Sequence, residues 1–391
     1  MSQKALHITS TVALFRGGRP ARWAEAAQPG WADAPTPMRL GHPLRQLAED
    51  VSDSYGGGGG VARVPADGDA LAFYRAHVAA SRPAVISRGL LSAWPATSKW
   101  RDLDALAETM GSATISVGVT PDGRADSLVE RRGEGEGSWF FAMPEIRGMT
   151  VRDFVTLLRT SREDARKGVP YVSHQNDSLT QQFPKLAQDV GPEVEALGRK
   201  LFGKGPDAVN LWIGDARSVS SMHRDPYENL YAVVHGEKTF TLLPPTERPR
   251  LRHVRCRSAT WRQRNANAEW ELVADPDTED VAKRVPWVAI DPCNPDVARF
   301  PEFSRHGGMD PLTVTVREGE VLYLPALWYH QVSQGGGGAG PGGVNNEAVL
   351  LSDFTVAVNY WFDMDFDLRW AQHRFLEALC ESEERGLGSE S

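Results

Sequence analysis

The sequence predicts a mainly β second half folded as a sandwich or small barrel, preceded by a mixed α and β region and closed by a C-terminal helix. Three observations carry this. After Pro206, six short runs rich in β-branched and aromatic residues (209–213, 231–234, 239–243, 312–316, 321–324 and 355–361) fall within about 150 residues, separated by turn-forming segments. Strands at that density, without helical crossovers, pair with neighbours and close on themselves rather than build a parallel sheet. Upstream of Pro206, helical and strand-like periodicities alternate. Downstream, Phe366, Trp370, Phe375, Leu376 and Leu379 recur at near-helical spacing across 366–384, an amphipathic pattern that closes the fold or meets a partner chain.

These textures divide the chain at 1–63, 64–205, 206–363 and 364–391. Residues 1–63 are rich in Gly, Pro and Ala and contain the run Gly56 to Gly60, with too few large apolar groups to offset the entropy of ordering. They read as a flexible extension, except that 44–51 fits an amphipathic helix, and folded structure is expected to begin near Val64. In 64–205, a helix is predicted over 69–80 with Asp69 as N-cap, and a strand over 84–86 after the breaker Pro83. A strand over 113–119 runs into Thr120-Pro121-Asp122-Gly123, where Pro presets one dihedral and Gly permits a positive one. Apolar spacing over 151–160 predicts another helix. Two segments interrupt the β half: 248–285, polar and charged, reads as a long insert with no structure assigned, and 335–347, with four consecutive glycines and Pro341-Gly342-Gly343, as a flexible loop.

The 391 residues carry a net charge of -8, so no overall positive field draws the chain to nucleic acid or anionic lipid, and neither is an expected partner. No apolar run approaches the ~20 residues that span a bilayer. Cys256, Cys293 and Cys380 are odd in number and widely scattered, which indicates neither a disulfide framework nor a cysteine zinc site and fits a reducing compartment. The cytoplasm is the expected location, with the nucleus second. Lys4, Arg16, Arg19 and Arg22 precede the first acid, Glu25, a faint likeness to a transit peptide; an unstructured extension is the preferred reading.

The chemistry concentrates in Ser220-Ser221-Met222-His223-Arg224-Asp225-Pro226 and in Leu324-Pro325-Ala326-Leu327-Trp328-Tyr329-His330. In extended chain, residues two apart share a face, so His223 and Asp225 present an imidazole and a carboxylate to one point. Pro226 reinforces the extended geometry. A distant imidazole, for which His330 is the best candidate, completes the two-histidine, one-carboxylate set of non-haem iron(II) oxygenases and leaves three coordination positions open. His-x-Asp alone is a weak signal. Lys238, opening an otherwise apolar strand after His235-Gly236-Glu237, is either a strand-edge lysine or a fixed cation for a dicarboxylate. His174, His235 and His253 lack a partner at ligand spacing and read as surface or turn residues. Trp212, Trp328, Tyr329, Tyr360 and Trp361 read as core, and Asp122 and Asp126 as turn solvation rather than contacts for a cationic substrate group.

Asn210-Leu211-Trp212-Ile213-Gly214, the block from His223 through Asn229-Leu230-Tyr231 to Gly236-Glu237-Lys238, and Leu324 through His330 together resemble the cupin-like jumonji-C (JmjC) oxygenases. The likeness is strongest to small jumonji-C lysyl 3-hydroxylases of translation-associated GTPases. It extends through Thr120-Pro121-Asp122-Gly123, Val285-Pro286-Trp287, Asp291-Pro292 and Val358-Asn359-Tyr360-Trp361-Phe362-Asp363, over roughly 64–380. It implies a double-stranded β-helix (jelly-roll or cupin) core over 206–363, with Fe(II) held by His223, Asp225 and His330. It further implies that Lys238 meets the distal carboxylate of 2-oxoglutarate, with hydroxyls of Ser220 and Tyr171 and amides of Asn229 and Asn359 assisting. The implied reaction consumes 2-oxoglutarate and O2, releases succinate and places a hydroxyl on carbon.

The implied partner is a protein substrate, a translation-associated GTPase; a homodimer through the C-terminal helix is a further expectation. Other readings are an oxygenase for a different side chain or a small molecule, a demethylase, and a non-catalytic cupin-like scaffold. The scaffold is disfavoured because degenerate members should lose a metal ligand or the lysine. The extension, 248–285 and 335–347 depart from the family pattern and bear on substrate more than on chemistry.

Overall fold

The structure is a computed structural model that describes residues 41–55, 60–130, 139–264, 269–301, 303, 309–335 and 354–387. Two sheets face each other in its centre. One has six strands in the order Ala62–Val64, Ala84–Ile86, Val321–Leu324, Tyr227–His235, Thr355–Asp363, Ala208–Gly214. The other has five, in the order Leu312–Arg317, Glu237–Leu243, Tyr329–Gln334, Val219–His223, Arg124–Ala125. All six strand runs predicted in the second half are present, each within a residue or a few of its expected ends. This is the jelly-roll arrangement of a cupin-like core.

Side-chain alternation explains how the sheets stack. Along Tyr227–His235, Tyr231 and Val233 face the second sheet and pack with Phe240, Leu242, Val316 and Val332. Leu230, Ala232 and Val234 point the other way, into a core shared with the N-terminal helices. Both faces are covered, so the strand is buried from Glu228 to Val234 rather than alternating.

The N-terminal region supplies that cover. Asp69 caps its helix as expected, its carboxylate accepting from Ala72 N–H at 2.7 Å, although the helix widens to π geometry over Tyr74–Val78. Val151–Glu163 begins with a reciprocal Thr150–Asp153 capping box and buries Val151, Phe154, Val155 and Leu158. At the 120–123 turn, Gly123 has φ +83°, and a Cβ there would sit 2.0 Å from the Arg217 carbonyl oxygen. That turn delivers Arg124–Ala125 to the edge of the five-stranded sheet, beside Val219–Ser220.

Three expectations are corrected. Order begins before Val64: the helix expected over 44–51 is present and runs over Gly41–Tyr55, where Leu44 packs with Leu376 and Cys380, Val51 joins the cluster around Leu251 and Tyr329, and Tyr55 meets Trp328 edge-on. The 248–285 segment is not a structureless insert. His253–Gln263 pairs with Trp270–Ala274, with Trp139–Met143 and with Val285–Val288. Its buried positions are the small Cys256, Ser258 and Ala259, which leave little hydropathic signature. In the C-terminal helix, Leu368–Leu387, the buried stripe is His373, Leu376, Glu377 and Cys380, while Phe375 is 66% exposed. Most of 1–63 and of the 335–347 loop lies outside the described residues.

Candidate metal centre

Strand pairing builds the centre. Val219–His223 runs antiparallel to Tyr329–Gln334 with His223 directly opposite His330, after an irregularity that begins at Ser220. The two imidazole centroids are therefore 4.2 Å apart. Asp225 follows where the strand ends, and its backbone carbonyl accepts Leu327 N–H at 2.8 Å, tying it to the loop that leads into His330. That loop is itself held: buried Glu228 accepts from Tyr323 Oη at 2.8 Å and from Ala326 N–H at 3.2 Å, while Leu327 sits at φ +68°.

Asp225 Oδ2 lies 3.8 Å from His223 Nε2 and 3.6 Å from His330 Nε2, and the ligand atoms of the three residues are mutually within 4.8 Å. Each Nδ1 faces a backbone carbonyl, Ser221 O at 2.7 Å for His223 and Trp328 O at 2.9 Å for His330. A carbonyl only accepts, so both Nδ1 atoms carry hydrogen and both Nε2 lone pairs point into the gap beside Asp225. Burial holds His330 well below its ordinary pKa, which keeps it a neutral donor. Burial raises Asp225, with His223 and Arg224 opposing. Two fixed imidazole donors and a desolvated carboxylate fit a divalent cation in a facial triad, which would offset the burial cost of Asp225.

The cavity beside the triad is lined by Tyr171, Ser220, Asn229 and Asn359, four of the residues singled out in the sequence. Lys238 does not line it. Fully buried on its strand, it donates from Nζ to Tyr171 Oη at 3.0 Å and lies 5.4, 6.0 and 5.6 Å from the ring centroids of Tyr171, Trp212 and Tyr231. Among the described residues no carboxylate pairs with it, and burial lowers it to about 7. Tyr171 is bonded in turn to the Ser220 hydroxyl, and burial raises its phenol. Asn359 Oδ1 accepts Trp212 Nε1–H at 2.7 Å, and its amide nitrogen donates to Asn229 Oδ1 at 3.3 Å.

The sequence reading missed several lining residues. Trp212 and Trp361 belong to the cavity and not only to the core. Trp287 lies parallel to the His223 ring, 6.1 Å between centroids at 5°, and donates to Ser221 Oγ at 3.2 Å. Its signal was the Val285-Pro286-Trp287 motif. Asp122 is exposed in the turn, as read, but Asp126 lines the cavity at φ +50°; burial raises it to about 6, with His223 opposing. His235 contacts Glu318, and His253 the Leu251 carbonyl; neither joins the metal group.

A sequence profile of the cupin-like domain matches residues 70–368. The chain belongs to the cupin-like jumonji-C family of 2-oxoglutarate-dependent oxygenases. It is 38% identical to the human bifunctional peptidase and (3S)-lysyl hydroxylase JMJD7 over 312 residues, 80% of this chain and 87% of that protein. Against the lysine-specific demethylase JMJ32 of Arabidopsis thaliana, identity is 35% over 78% of this chain and 83% of the relative. Against the JmjC domain-containing protein E of Dictyostelium discoideum it is 34%, over 79% and 85%.

Proposed function

We propose that this chain is an Fe(II)- and 2-oxoglutarate-dependent protein hydroxylase that acts on a lysine side chain of a translation-associated GTPase. The observation that carries the oxygenase part is that the His223–Asp225–His330 triad shares its cavity with Tyr171, behind which lies the buried Lys238, with no carboxylate partner among the described residues. The lysyl part rests on the 38% identity to a protein named as a lysyl hydroxylase. The GTPase part rests on the resemblance of the His223–Lys238 and Leu324–His330 blocks to hydroxylases of such proteins.

His223 Nε2, His330 Nε2 and an Asp225 carboxylate oxygen would hold iron(II), and bound iron would supply the redox chemistry by which dioxygen and 2-oxoglutarate oxidise a C–H bond. The chain contributes position. Ser221 and Trp328 carbonyls lock the imidazole tautomers, and Glu228 fixes the loop that carries Leu327 toward His330. Tyr171 and Lys238 form a relay for the distal carboxylate of 2-oxoglutarate: the phenol meets it and the ammonium behind supplies the charge. Ser220, Asn229 and Asn359 fix its orientation, and the Trp212 and Trp361 indoles exclude water from the cavity.

The test is succinate release by purified protein given iron(II), ascorbate and 2-oxoglutarate, with and without a lysine peptide from a GTPase, alongside His223→Ala. Peptide-stimulated succinate, absent in the variant, supports the reading. Turnover with no oxidised lysine would discard the substrate, and no turnover at all would favour a binding protein.

A further inference from the structure

We propose that Asp126 is the residue that selects a cationic side chain, its carboxylate receiving the ammonium of the substrate lysine. This rests on the lysyl reading above and adds the group that enforces it.

The cavity has three sets of polar residues. His223, Asp225 and His330 form the metal group, which does not include Asp126. Tyr171, Ser220, Asn229 and Asn359 form the cosubstrate set. What remains, apart from the indoles, is Asp126, the one lining carboxylate outside the metal group, with Ser173, Gln175, Ser221 and Tyr231. Among the described residues no Lys or Arg forms an ion pair with Asp126; Arg124, two residues earlier, leans instead toward Asp291 at 3.7 Å. A carboxylate here is unsuited to 2-oxoglutarate, because like charges in a desolvated cavity repel strongly. It is also costly to leave without a partner. A cation entering with the substrate satisfies it.

The backbone of Asp126 is also tied to a metal-group strand. Asp126 sits in left-handed backbone, φ +50°, a conformation that aspartate tolerates better than most residues. Ser221 anchors it there, its hydroxyl donating to the Asp126 carbonyl. The same Ser221 accepts Trp287 Nε1–H at 3.2 Å through Oγ, and its carbonyl holds His223 Nδ1 at 2.7 Å. One residue thus fixes both a metal ligand and the backbone of the acid. Asp126 and the metal group line the same cavity, so a lysine whose ammonium meets Asp126 has its aliphatic stem in that cavity, the proximity that hydroxylation requires.

The experiment compares wild type, Asp126→Asn and Asp126→Glu on peptides carrying lysine or norleucine, the uncharged analogue of nearly equal shape. Wild type is expected to prefer lysine in kcat/KM on the order of 100-fold, the scale of a desolvated charge pair. Asp126→Asn should bring the two peptides within a few-fold of each other by losing lysine turnover while keeping norleucine turnover, and Asp126→Glu should recover part of the preference. Calorimetric binding of zinc(II) and of 2-oxoglutarate should not change. An undiminished lysine preference in Asp126→Asn would overturn the proposal; so would a parallel loss of metal affinity, which would make Asp126 only a support for His223. A readout free of turnover is the binding of Nα-acetyl-lysine amide, against the norleucine amide, to enzyme loaded with zinc(II) and 2-oxoglutarate. Tighter lysine binding that Asp126→Asn abolishes supports the assignment, and equal binding overturns it. If wild type oxidises no lysine peptide, the hydroxylase reading falls, and the amide titration still decides for or against Asp126.

Discussion

Replacing Lys238 with methionine should stabilise the protein without ligands while removing its response to 2-oxoglutarate. Burial brings the Lys238 ammonium from 10.5 to about 7, so between those values the unfolded chain binds a proton that the folded chain does not. Stability contributed at this position therefore rises with pH through that window and is lowest below pH 7. At about 1.4 kcal/mol per pH unit, the gap corresponds to roughly 5 kcal/mol of burial cost at pH 6. The lost bond to Tyr171 returns about 1 kcal/mol, and Tyr171 keeps Ser220 as a partner. Lys238→Met should then exceed wild type by about 2–4 kcal/mol at pH 6, with the advantage shrinking by about 2–3 kcal/mol at pH 9. Urea denaturation at both pH values, with and without 2-oxoglutarate in the presence of zinc(II), reads these quantities. Wild type should gain stability from 2-oxoglutarate, because its carboxylate neutralises the buried ammonium, and the variant should gain none. A variant less stable than wild type at both pH values, or one equally stabilised by 2-oxoglutarate, would mean that Lys238 is not a costly buried ammonium facing the cosubstrate.

Other changes follow from the same geometry. Asp225→Ala should lower manganese(II) affinity by more than about 100-fold, since even outer-shell changes at such sites cost about 10–100-fold, while leaving the metal-free protein no less stable; a paramagnetic-resonance titration measures the first and thermal melting the second. Gly214→Ala would set a Cβ 2.6 Å from Tyr171 Cδ2 and 2.8 Å from Gln334 Nε2. The displaced phenol should raise KM for 2-oxoglutarate about tenfold, equivalent to about 1.4 kcal/mol, with metal affinity unchanged. Gly198→Ala would place a Cβ 2.1 Å from Phe362 Cζ, levering the Glu193–Phe202 helix off the strand that carries Asn359. Its expected cost is about 1–3 kcal/mol by denaturation, and an unchanged midpoint would count against the packing described.

Local pattern made the strands and the first metal ligand pair legible. The alternation around 209–213 and 355–361 survives because those strands keep polar Asn210 and Asn359 between large apolar neighbours, and His223-Arg224-Asp225-Pro226 declares an extended chelate within four residues. What depends on register was not legible. That His330 lies opposite His223 is a property of the Val219–His223 and Tyr329–Gln334 pairing, across about a hundred residues, and local periodicity carries no such information. Lys238 could be suspected from charge in an apolar strand, yet its retreat behind Tyr171 follows from how Ser220 and Trp212 pack around that ring. Asp126 read as turn solvation because it lies just after Thr120-Pro121-Asp122-Gly123, whereas in the fold it lines the cavity and its backbone carbonyl accepts from Ser221. The strand His253–Gln263 was hidden by its small buried residues, whereas the apolar stripe of 44–51 declared a helix whose full extent, Gly41–Tyr55, flanking glycine and proline obscured.

Oxygen-isotope mass spectrometry on a lysine peptide, with succinate counted in the same reaction, asks whether His223, Asp225 and His330 carry a hydroxylase. Under labelled dioxygen, wild type should add one labelled oxygen atom to the lysine for each succinate released, and His330→Ala should do neither. Label entering from water, cleavage of the peptide without oxidation, or succinate formed equally by the variant would contradict a hydroxylase built on His223, Asp225 and His330.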